Sequence, residues 1–289
     1  MHDSTRKGLL EWHERQSQTF FGPRFWNGLI GSFRGDEMTG TVWAELHSGR
    51  VAALHGPKIG ADEPATTAAQ LVGLAIDYST TCEVRLVQAL KRADEEAEAQ
   101  ALVEHGVRHV ADLLYMHADG LAGPAEPPPT SLRFEPYSAA LPMRMINLIE
   151  RTYVESLDCP IVDGLRTVEE ILEGYRATGS HDPHRWLIAT ARLEPAGPLV
   201  DVGCILLAVH PLTDQWELMY MGVVPEGRGR GWGLEMVRHA QGLARTANAK
   251  SVVLAVDAAN EPGVKMYAAA GFEVFDRRAL HLRVIDAPA

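Results

Sequence analysis

A loop rich in glycine and arginine, between Val223 and Gly233, carries the residue types best suited to bind an anion. An apolar segment with the character of a strand leads into the loop, and a helical pattern starts directly after it. The glycines allow a sharp turn and leave main-chain N–H groups accessible, and the positive end of the following helix points at the same place. Arg228 and Arg230 can add charge-assisted hydrogen bonds to phosphate oxygens. The pattern therefore predicts a pyrophosphate site.

Two other interpretations of this loop are a flexible surface turn and a basic segment that contacts nucleic acid. The flanking strand and helix disfavour the first. A formal net charge of -11 disfavours the second, because it repels a polyphosphate backbone. The loop is also not a dinucleotide fingerprint, since its third glycine comes too early for G-x-G-x-x-G and no Walker lysine follows. We expect no nucleic-acid partner.

Two signatures in the sequence resemble those of the GNAT superfamily of acyl-CoA-dependent N-acyltransferases. The first is Arg228-x-x-Gly231-x-Gly233 after a Val-x-Pro strand end. The second is an apolar strand over 251–256, then Asn260, a short helix with Met266-Tyr267, and a Gly-Phe pair entering the next strand. Met266 stands where leucine is usual, and Gly263 where alanine is usual. The resemblance covers roughly residues 131–285.

The resemblance implies that acetyl-CoA is the co-substrate and that no metal takes part. It places the diphosphate on the main chain of the loop, and the pantetheine arm in a split between two strands. Asn260 contacts this arm by resemblance, although it can also be a plain turn residue. Trp232 is expected beside the cofactor or at the helix start. The implied cofactor-binding residues are Val223, Val224, Arg228, Gly229, Arg230, Gly231, Trp232, Gly233 and Asn260.

Amide formation from a thioester requires a deprotonated amine, a polarised carbonyl and a thiolate that can leave. Glu217 is the candidate base, because it lies on the strand that enters the loop. The period of two of a strand predicts that it shares one face with Met219 and Met221. A glutamate at this position serves as base in several GNAT enzymes; a solvated strand carboxylate is the alternative. A main-chain N–H near Val223, where the strand of this family bulges, is expected to polarise the carbonyl.

Tyr267 is the candidate acid. By resemblance its hydroxyl lies near the thioester sulfur, and a phenol with a pKa of about 10 can protonate a departing thiolate. The alternative is a packing aromatic residue whose hydroxyl is satisfied by water. The predicted reaction is the transfer of an acetyl group from acetyl-CoA to a primary amine by direct attack in a ternary complex.

The acceptor site of this fold usually lies between the helix–helix loop, here Leu157 to Arg166, and the strand face that carries Glu217. Asp158 and Asp163 in this loop can pair with a cationic amine, or they can simply be solvated. Two alternatives to this predicted function stay open. One is a non-catalytic acyl-CoA-binding sensor or regulatory protein. The other is an acetyltransferase similar to mycothiol synthases, which the pattern from Glu217 to Pro225 also resembles.

A proline-rich break, Leu121 to Thr130, predicts two domains, 1–125 and 131–289. After the break the predicted order is β-α-α-β-β-β-α-β-α-β, the order of the GNAT family, with the usual final strand missing or merged with its predecessor. The predicted fold class is α/β (α+β). Each domain is expected to have a mixed, mostly antiparallel central sheet flanked by helices.

The first half repeats the plan of the second when Gly106-Val107 is placed on Gly271-Phe272. It has no glycine loop, and Leu102 stands at the place of Tyr267. The sequence therefore predicts a degenerate GNAT-like domain that does not hold acyl-CoA. An unrelated α/β domain is the alternative.

Composition is that of a soluble globular protein, with 46% hydrophobic and 22% charged residues. No apolar run is long enough to span a bilayer, and the amino terminus lacks a signal-peptide core. Cys82, Cys159 and Cys204 are scattered and indicate neither a disulfide framework nor a metal site. We expect a cytoplasmic protein without a membrane partner; homodimer formation stays open.

Overall fold

The computed structural model describes residues 27–119 and 130–285. The chain divides into two compact units: one takes the described residues up to His109 and from Leu280 onward, and the other is Val110–Ala279. These limits differ from the predicted domains 1–125 and 131–289, because the strand before the break is placed in the second unit. The break itself lies outside the described residues except for Thr130. The predicted domain limits therefore stay a prediction.

The first unit is built on strands that pair in the order β1–β2–β3–β4, with helices after the third and fourth strands. The first two pairings are antiparallel and the pairing of β3 with β4 is parallel. Its elements are β1 (Leu29–Arg34), β2 (Glu37–His47), β3 (Val51–Ile59), α1 (Ala65–Thr81), β4 (Leu86–Lys91) and α2 (Glu96–Glu104).

The second unit contains the strand order β5–β10–β9–β8–β7–β6, antiparallel throughout except for the parallel pair β9–β10. The elements are β5 (Arg108–Asp119), β6 (Arg133–Pro136), α3 (Pro142–Tyr153), α4 (Val168–Ala177), β7 (Trp186–Arg192), β8 (Leu199–His210), β9 (Gln215–Val223), α5 (Trp232–Thr246), β10 (Ser251–Asp257), α6 (Glu261–Ala269) and β11 (Glu273–Val284), which ends in the first unit. The predicted fold class and element order are confirmed.

One long strand, β11, follows the last helix, as the sequence suggested. The neighbour of β10 on the side away from β9 is β5, a strand that precedes the proline-rich break. Their antiparallel pairing runs from Ser251 opposite Asp119 to Asp257 opposite Leu113. The first half of the chain therefore supplies a strand to the second unit.

Local signals explain where the helices next to the site begin. α3 starts with Pro142, whose fixed φ suits a first helical turn, and buries Met145 and Ile149 at helical spacing. α4 follows a capping box: the Thr167 hydroxyl accepts from the Glu170 N–H at 3.2 Å, and the Glu170 carboxylate accepts from the Thr167 N–H at 3.0 Å. The capping box fixes the end of the loop that leads from α3 into α4.

A bidentate ion pair attaches α3 to the sheet. The Arg144 guanidinium donates to both oxygens of Asp201 on β8, at 2.9 and 2.7 Å, and to Glu135 on β6 at 2.8 Å. Such a planar fork fixes orientation as well as distance. The amino-terminal turn of α3 is thereby held against β8 and β6.

The first unit repeats the element spacing of the second. When Gly106 is placed on Gly271, the first residue of β4 falls on that of β10, the first of α2 on that of α6, and the first of β5 on that of β11. The parallel pair β3–β4 also has three residue pairs, as β9–β10 does. The predicted alignment of the two halves therefore holds for these elements, while a degenerate GNAT-like origin of the first half stays a prediction.

Leu206 can be used to test how much the core of the second unit contributes to stability, because its side chain is fully buried. We expect Leu206→Ala to lower the free energy of unfolding by about 3–5 kcal/mol, through lost burial and the cavity left behind. Leu212, which is 77% exposed, is the matched control, and Leu212→Ala should change it by less than about 0.5 kcal/mol. Chemical denaturation followed by tryptophan fluorescence measures both. Equal losses would contradict the assigned core.

Candidate active site

A cavity of about 610 Å³ lies in the second unit where β9 and β10 separate. The two strands pair only from Gln215 opposite Ser251 to Glu217 opposite Val253. Beyond these residues the strands are no longer paired with each other, and residues from both line the cavity. The rest of its wall comes from the end of α3 and the following loop, the glycine loop and α6. The expected split between two strands is present.

β9 contains a bulge that changes which side chains share a face. Leu207 lies opposite Leu218 and Leu206 opposite Tyr220, so that Met219 is an extra residue in β9. Because the alternation is reset there, Glu217 shares its face with Tyr220. The prediction that Glu217, Met219 and Met221 share one face is wrong. The bulge also lies earlier in the strand than Val223, the position at which it was expected.

The glycine loop presents a row of free main-chain donors. From Gly229 to Leu234, no main-chain N–H has an acceptor among the described residues. Gly229 and Gly231 adopt the left-handed region, with φ of 74° and 80°, and α5 begins at Trp232 with the unbonded donors of its first turn. Consecutive N–H groups at a helix amino terminus form a site for a dianion such as a diphosphate.

The Arg228 side chain makes a different set of contacts from the expected ones. Its guanidinium donates to the main-chain carbonyls of Thr152, Val154 and Glu155 at 2.7–3.1 Å, and its Nε donates to the Val223 carbonyl at 3.2 Å. Four of its five N–H donors are therefore directed at main-chain carbonyls, most of which the end of α3 leaves without a helical partner. Arg228 ties the glycine loop to α3, and one N–H is left for a phosphate.

Arg230 likewise bonds to the main chain, to the carbonyls of Glu226 and Leu193, both at 3.2 Å. Its guanidinium also lies 5.3 Å from the centre of the Trp232 ring. Trp232 is buried at the start of α5, as expected, where its Nε1 donates to Ser131 at 3.1 Å. These contacts hold the shape of the loop.

Seven of the nine predicted cofactor-binding residues line the cavity. They are Val223, Arg228, Gly229, Gly231, Trp232, Gly233 and Asn260. Val224 is fully buried, and its N–H donates to the Val202 carbonyl at 3.0 Å. Because N–H groups alternate in direction along a strand, the N–H of Val223 points away from β8, toward the split. Arg230 is the other residue outside the lining.

Asn260 is both the cap of α6 and part of the cavity wall. Its carbonyl oxygen accepts from the Gly263 N–H at 3.1 Å. A Cβ at position 263 would lie 2.7 Å from the Asn260 amide nitrogen, so glycine at this position makes room for the cap. The amide also serves as a hydrogen-bond donor toward Asp158. Asn260 therefore occupies both positions considered from the sequence: it is a turn residue at the start of α6, and it lines the cavity.

Tyr267 lines the cavity from α6, and its ring packs edge-on against Phe272 at 5.8 Å between centroids. The residue is nine-tenths buried, and its hydroxyl has no hydrogen-bond partner within the described part of the chain. Burial, with the negative charge of Asp158 adding to it, raises the pKa of Tyr267 well above its usual value of 10. The side chain is therefore a neutral phenol and a potential proton donor across the physiological range.

Glu217 lies outside the cavity lining. Its carboxylate bonds to His210 Nε2 at 2.7 Å, and this bond raises the pKa of His210. Its charge also helps to raise the pKa of Tyr115, whose main cause is burial. The side chain is one-third exposed. Its role as base stays a prediction.

Sequence reasoning missed a group of residues under the carboxyl end of α3. The Thr152 hydroxyl donates to the Ile149 carbonyl at 2.7 Å, so the Tyr220 hydroxyl at 2.6 Å must be the donor to Thr152. Tyr220 also packs edge-on against Tyr153. Thr152, Tyr153 and Tyr220 all line the cavity. Thr152 and Tyr153 belong to no motif, and Tyr220 is part of the pattern from Glu217 to Pro225 but without an assigned role, so only the three-dimensional structure shows that they meet.

Comparison with known proteins gives the family of this site. Residues 157–272 match the family model for the Acetyltransferase (GNAT) family. The chain carries a GNAT domain. The match includes the glycine loop and Tyr267, and it confirms the resemblance inferred from the two signatures. No curated protein matches the chain in sequence.

Solved structures similar to the chain have the same fold. A GCN5-related N-acetyltransferase from Sphaerobacter thermophilus is 19% identical with a TM-score of 0.63, over 95% of this chain and 85% of that one. A GNAT-family acetyltransferase from Colwellia psychrerythraea is 11% identical with a TM-score of 0.52, over 99% and 98%. A tandem GNAT protein from the clavulanic acid biosynthesis pathway is 14% identical with a TM-score of 0.50, over 92% and 85%. At these identities the likeness concerns the fold alone.

Two further findings concern metal sites and membrane-spanning helices. Within residues 27–119 and 130–285, no three or more histidine, cysteine, aspartate or glutamate side chains are grouped to hold a metal ion. None of the helices in these ranges is long and apolar enough to cross a bilayer. The expectations of a metal-free reaction and a cytoplasmic location stay predictions.

Gly231 offers a direct test of the strained loop. A Cβ at position 231 would meet no atom within 4 Å, so only the left-handed φ opposes a side chain there. We therefore expect Gly231→Ala to lower the free energy of unfolding by about 1–2 kcal/mol. Gly242, within α5, is equally unobstructed but has no positive φ. Gly242→Ala is therefore the matched control and should stabilise by about 0.5–1 kcal/mol. Chemical denaturation checks both, and effects of the same sign would contradict the assigned loop conformation.

Proposed function

We propose that the chain is an acyl-CoA-dependent N-acyltransferase that moves an acetyl group from acetyl-CoA to a primary amine by direct attack in a ternary complex. One observation carries the proposal: the free N–H groups of 229–234 and the unpartnered Tyr267 hydroxyl belong to the same cavity. The first group suits a diphosphate, and the second suits a proton transfer to sulfur. The strand split connects them.

The fit of acetyl-CoA rests on groups that lack a protein partner among the described residues. The loop offers consecutive N–H donors to a diphosphate, and the split leaves the Val223 N–H directed at the cavity. A pantetheine amide and a thioester carbonyl are suitable acceptors for such donors. Gly222 leaves no room for a side chain, since a Cβ there would come within 2.6 Å of Thr152. The split is therefore narrow on the side of α3.

The roles of the side chains follow from this placement. Tyr267 holds its proton until a thiolate forms beside it, and then donates it to sulfur. Glu217 is the base that the sequence predicts, and from outside the cavity lining it would act through water. A second candidate function, an acyl-CoA-binding sensor, is favoured by this same position of Glu217, because a sensor needs no base.

Charged residues in the first unit favour a stoichiometry of one acyl-CoA per chain, bound by the second unit. With Gly106 placed on Gly271 as before, four charged residues fall on four cavity-lining ones: Lys58, Lys91, Glu95 and Glu98 on Val223, Val256, Asn260 and Gly263. Lys91 is buried and donates to the Gly56 carbonyl at 2.7 Å and to Glu98 at 2.6 Å; Lys58 bonds to Glu95 and Glu98. This ion network fills the place that corresponds to the split, which favours a degenerate copy without a ligand.

Calorimetry tests the binding step. We expect coenzyme A to bind with a stoichiometry of one per chain and a Kd on the order of micromolar. Acetyl-CoA with a panel of amines, followed by free-thiol release, separates the enzyme from the sensor. The panel includes polyamines, amino sugars, peptide amino termini and the acceptor of mycothiol synthases. Saturable binding without acceptor-dependent thiol release would favour the sensor, and the absence of binding would exclude both.

Tyr267→Phe tests the acid role. We expect kcat to fall by about a hundred- to a thousandfold, since a proton donor contributes that much to a transition state. The affinity for coenzyme A should change little, because the ring remains in place. Tyr137→Phe is the matched control, a buried tyrosine whose ring lies 5.8 Å from that of Trp186, outside the cavity lining. An unchanged kcat in Tyr267→Phe would dismiss the role.

A further inference from the structure

Asp158 is a carboxylate within the cavity, on the loop between α3 and α4. Among the residues that line the cavity, the carboxylates are those of Glu155 and Asp158. Glu155 lies beside the carbonyls that Arg228 binds, on the side of the glycine loop. Asp158 lies on the side of α6, close enough to Tyr267 for its charge to act on the phenol. The two cavity carboxylates therefore stand in different surroundings.

Main-chain and side-chain donors fix the Asp158 carboxylate. The Asp257 N–H, at the end of β10, donates to one carboxylate oxygen at 2.8 Å, and the Asn260 amide approaches as a second donor. In return the Asp257 carboxylate accepts from the Cys159 N–H at 3.2 Å. This reciprocal pair attaches the α3–α4 loop to the sheet at the end of the strand split.

The surroundings of Asp158 make it a stronger base than an ordinary aspartate. Burial against the surrounding protein raises its pKa above the usual 3.8, and the charges of Asp257 and Asp163 add to this, while the hydrogen bonds described above oppose it. Several titratable or charged side chains interact electrostatically with Asp158 or with its neighbours. They are Cys159, Asp163, Asp257, Tyr153, Tyr175, Tyr267 and Arg166. The tyrosines among them are neutral because burial raises each pKa.

We propose that Asp158 binds the ammonium group of the acceptor beside Tyr267 and takes its proton, so that it is the catalytic base of the transfer. The proposal rests on the proposed function. It replaces Glu217, whose carboxylate bonds to His210 outside the cavity lining. The unpartnered hydroxyl of Tyr267 and the anchored carboxylate of Asp158 belong to residues that line one cavity, which places a proton donor and a proton acceptor within reach of the same substrate.

Protons are conserved through the transfer. The acceptor ammonium gives one proton to Asp158, which later releases it to solvent. The neutral amine attacks the thioester carbonyl carbon, and a carbon–nitrogen bond forms. As the carbon–sulfur bond breaks, Tyr267 gives its proton to the sulfur, and it regains one from the nitrogen of the new amide. The products are the N-acetylated amine, the free thiol and one proton in solution.

Asp158→Asn is the test, because the asparagine oxygen can still accept from the Asp257 N–H and keep the loop attached. We expect kcat/KM for the amine to fall by about a hundred- to a thousandfold with unchanged coenzyme A affinity. In the wild type, kcat/KM should fall as the pH drops through the raised pKa of Asp158, and this limb should be absent in the variant. Asp214→Asn, a surface aspartate paired with Lys250, is the matched control and should show the wild-type profile.

Stability separates a catalytic role from a structural one. A carboxylate whose folded pKa is raised destabilises the fold at neutral pH, since the folded state holds the proton more tightly than the unfolded state. The Tm of Asp158→Asn at pH 7 should therefore equal or exceed that of the wild type, whereas a lower Tm would indicate a structural role.

Two results would overturn the proposal. One is a full acidic limb in Asp158→Asn with unchanged kcat/KM. The other is a larger loss in Glu217→Gln than in Asp158→Asn. In either case Tyr267→Phe remains impaired and the proposed function stands. If the wild type releases no thiol with any amine, the proposed function itself fails, and the role of Asp158 fails with it.

Discussion

The separation of β9 from β10 after Glu217 is the constraint on which the candidate site depends. A parallel pair inside a sheet normally bonds along its whole length, and unpaired main-chain groups inside a protein carry a cost. Here the two strands do not pair with each other beyond Glu217 and Val253, and a cavity of about 610 Å³ lies between them. The bulge in β9 is adjacent to this gap and turns Tyr220 toward α3. A ligand with amide and carbonyl groups would satisfy what the sheet leaves open.

A second interaction, between Arg228 and the end of α3, stabilises the wall of the split. The Arg228 guanidinium binds the carbonyls at the end of α3 and thereby couples a helix end to the glycine loop, which comes much later in the chain. Each of these groups would otherwise be an unsatisfied end of a secondary-structure element. The guanidinium that the sequence assigned to phosphate thus shapes the loop. The proposed binding of a diphosphate therefore depends mainly on main-chain N–H groups, with one N–H of Arg228 beside them.

The sequence predicted much of the fold and the outline of the site. The two signatures located the loop, Asn260 and Tyr267, because glycine spacing and local order are written within short segments. The position of the bulge, at Met219 and not near Val223, escaped prediction, since one extra residue in a strand leaves no mark in an apolar run. The partners of Arg228 and the anchoring of Asp158 by Asp257 escaped for another reason. They join segments far apart in the chain, and a single sequence does not show which distant segments meet.

The pairing of β5 with β10 sets how this protein can be divided. β5 comes before the proline-rich segment, yet it covers one side of the strand that ends at Asp257. Expression of residues 131–289 alone would leave that side of β10 as a bare edge, with unpaired main-chain donors and acceptors beside the cavity. Such an edge recruits other chains and promotes aggregation. The apparent linker is therefore a poor place to cut, and the smallest piece that keeps the strands β5 to β10 of the second unit together must include residues from both halves.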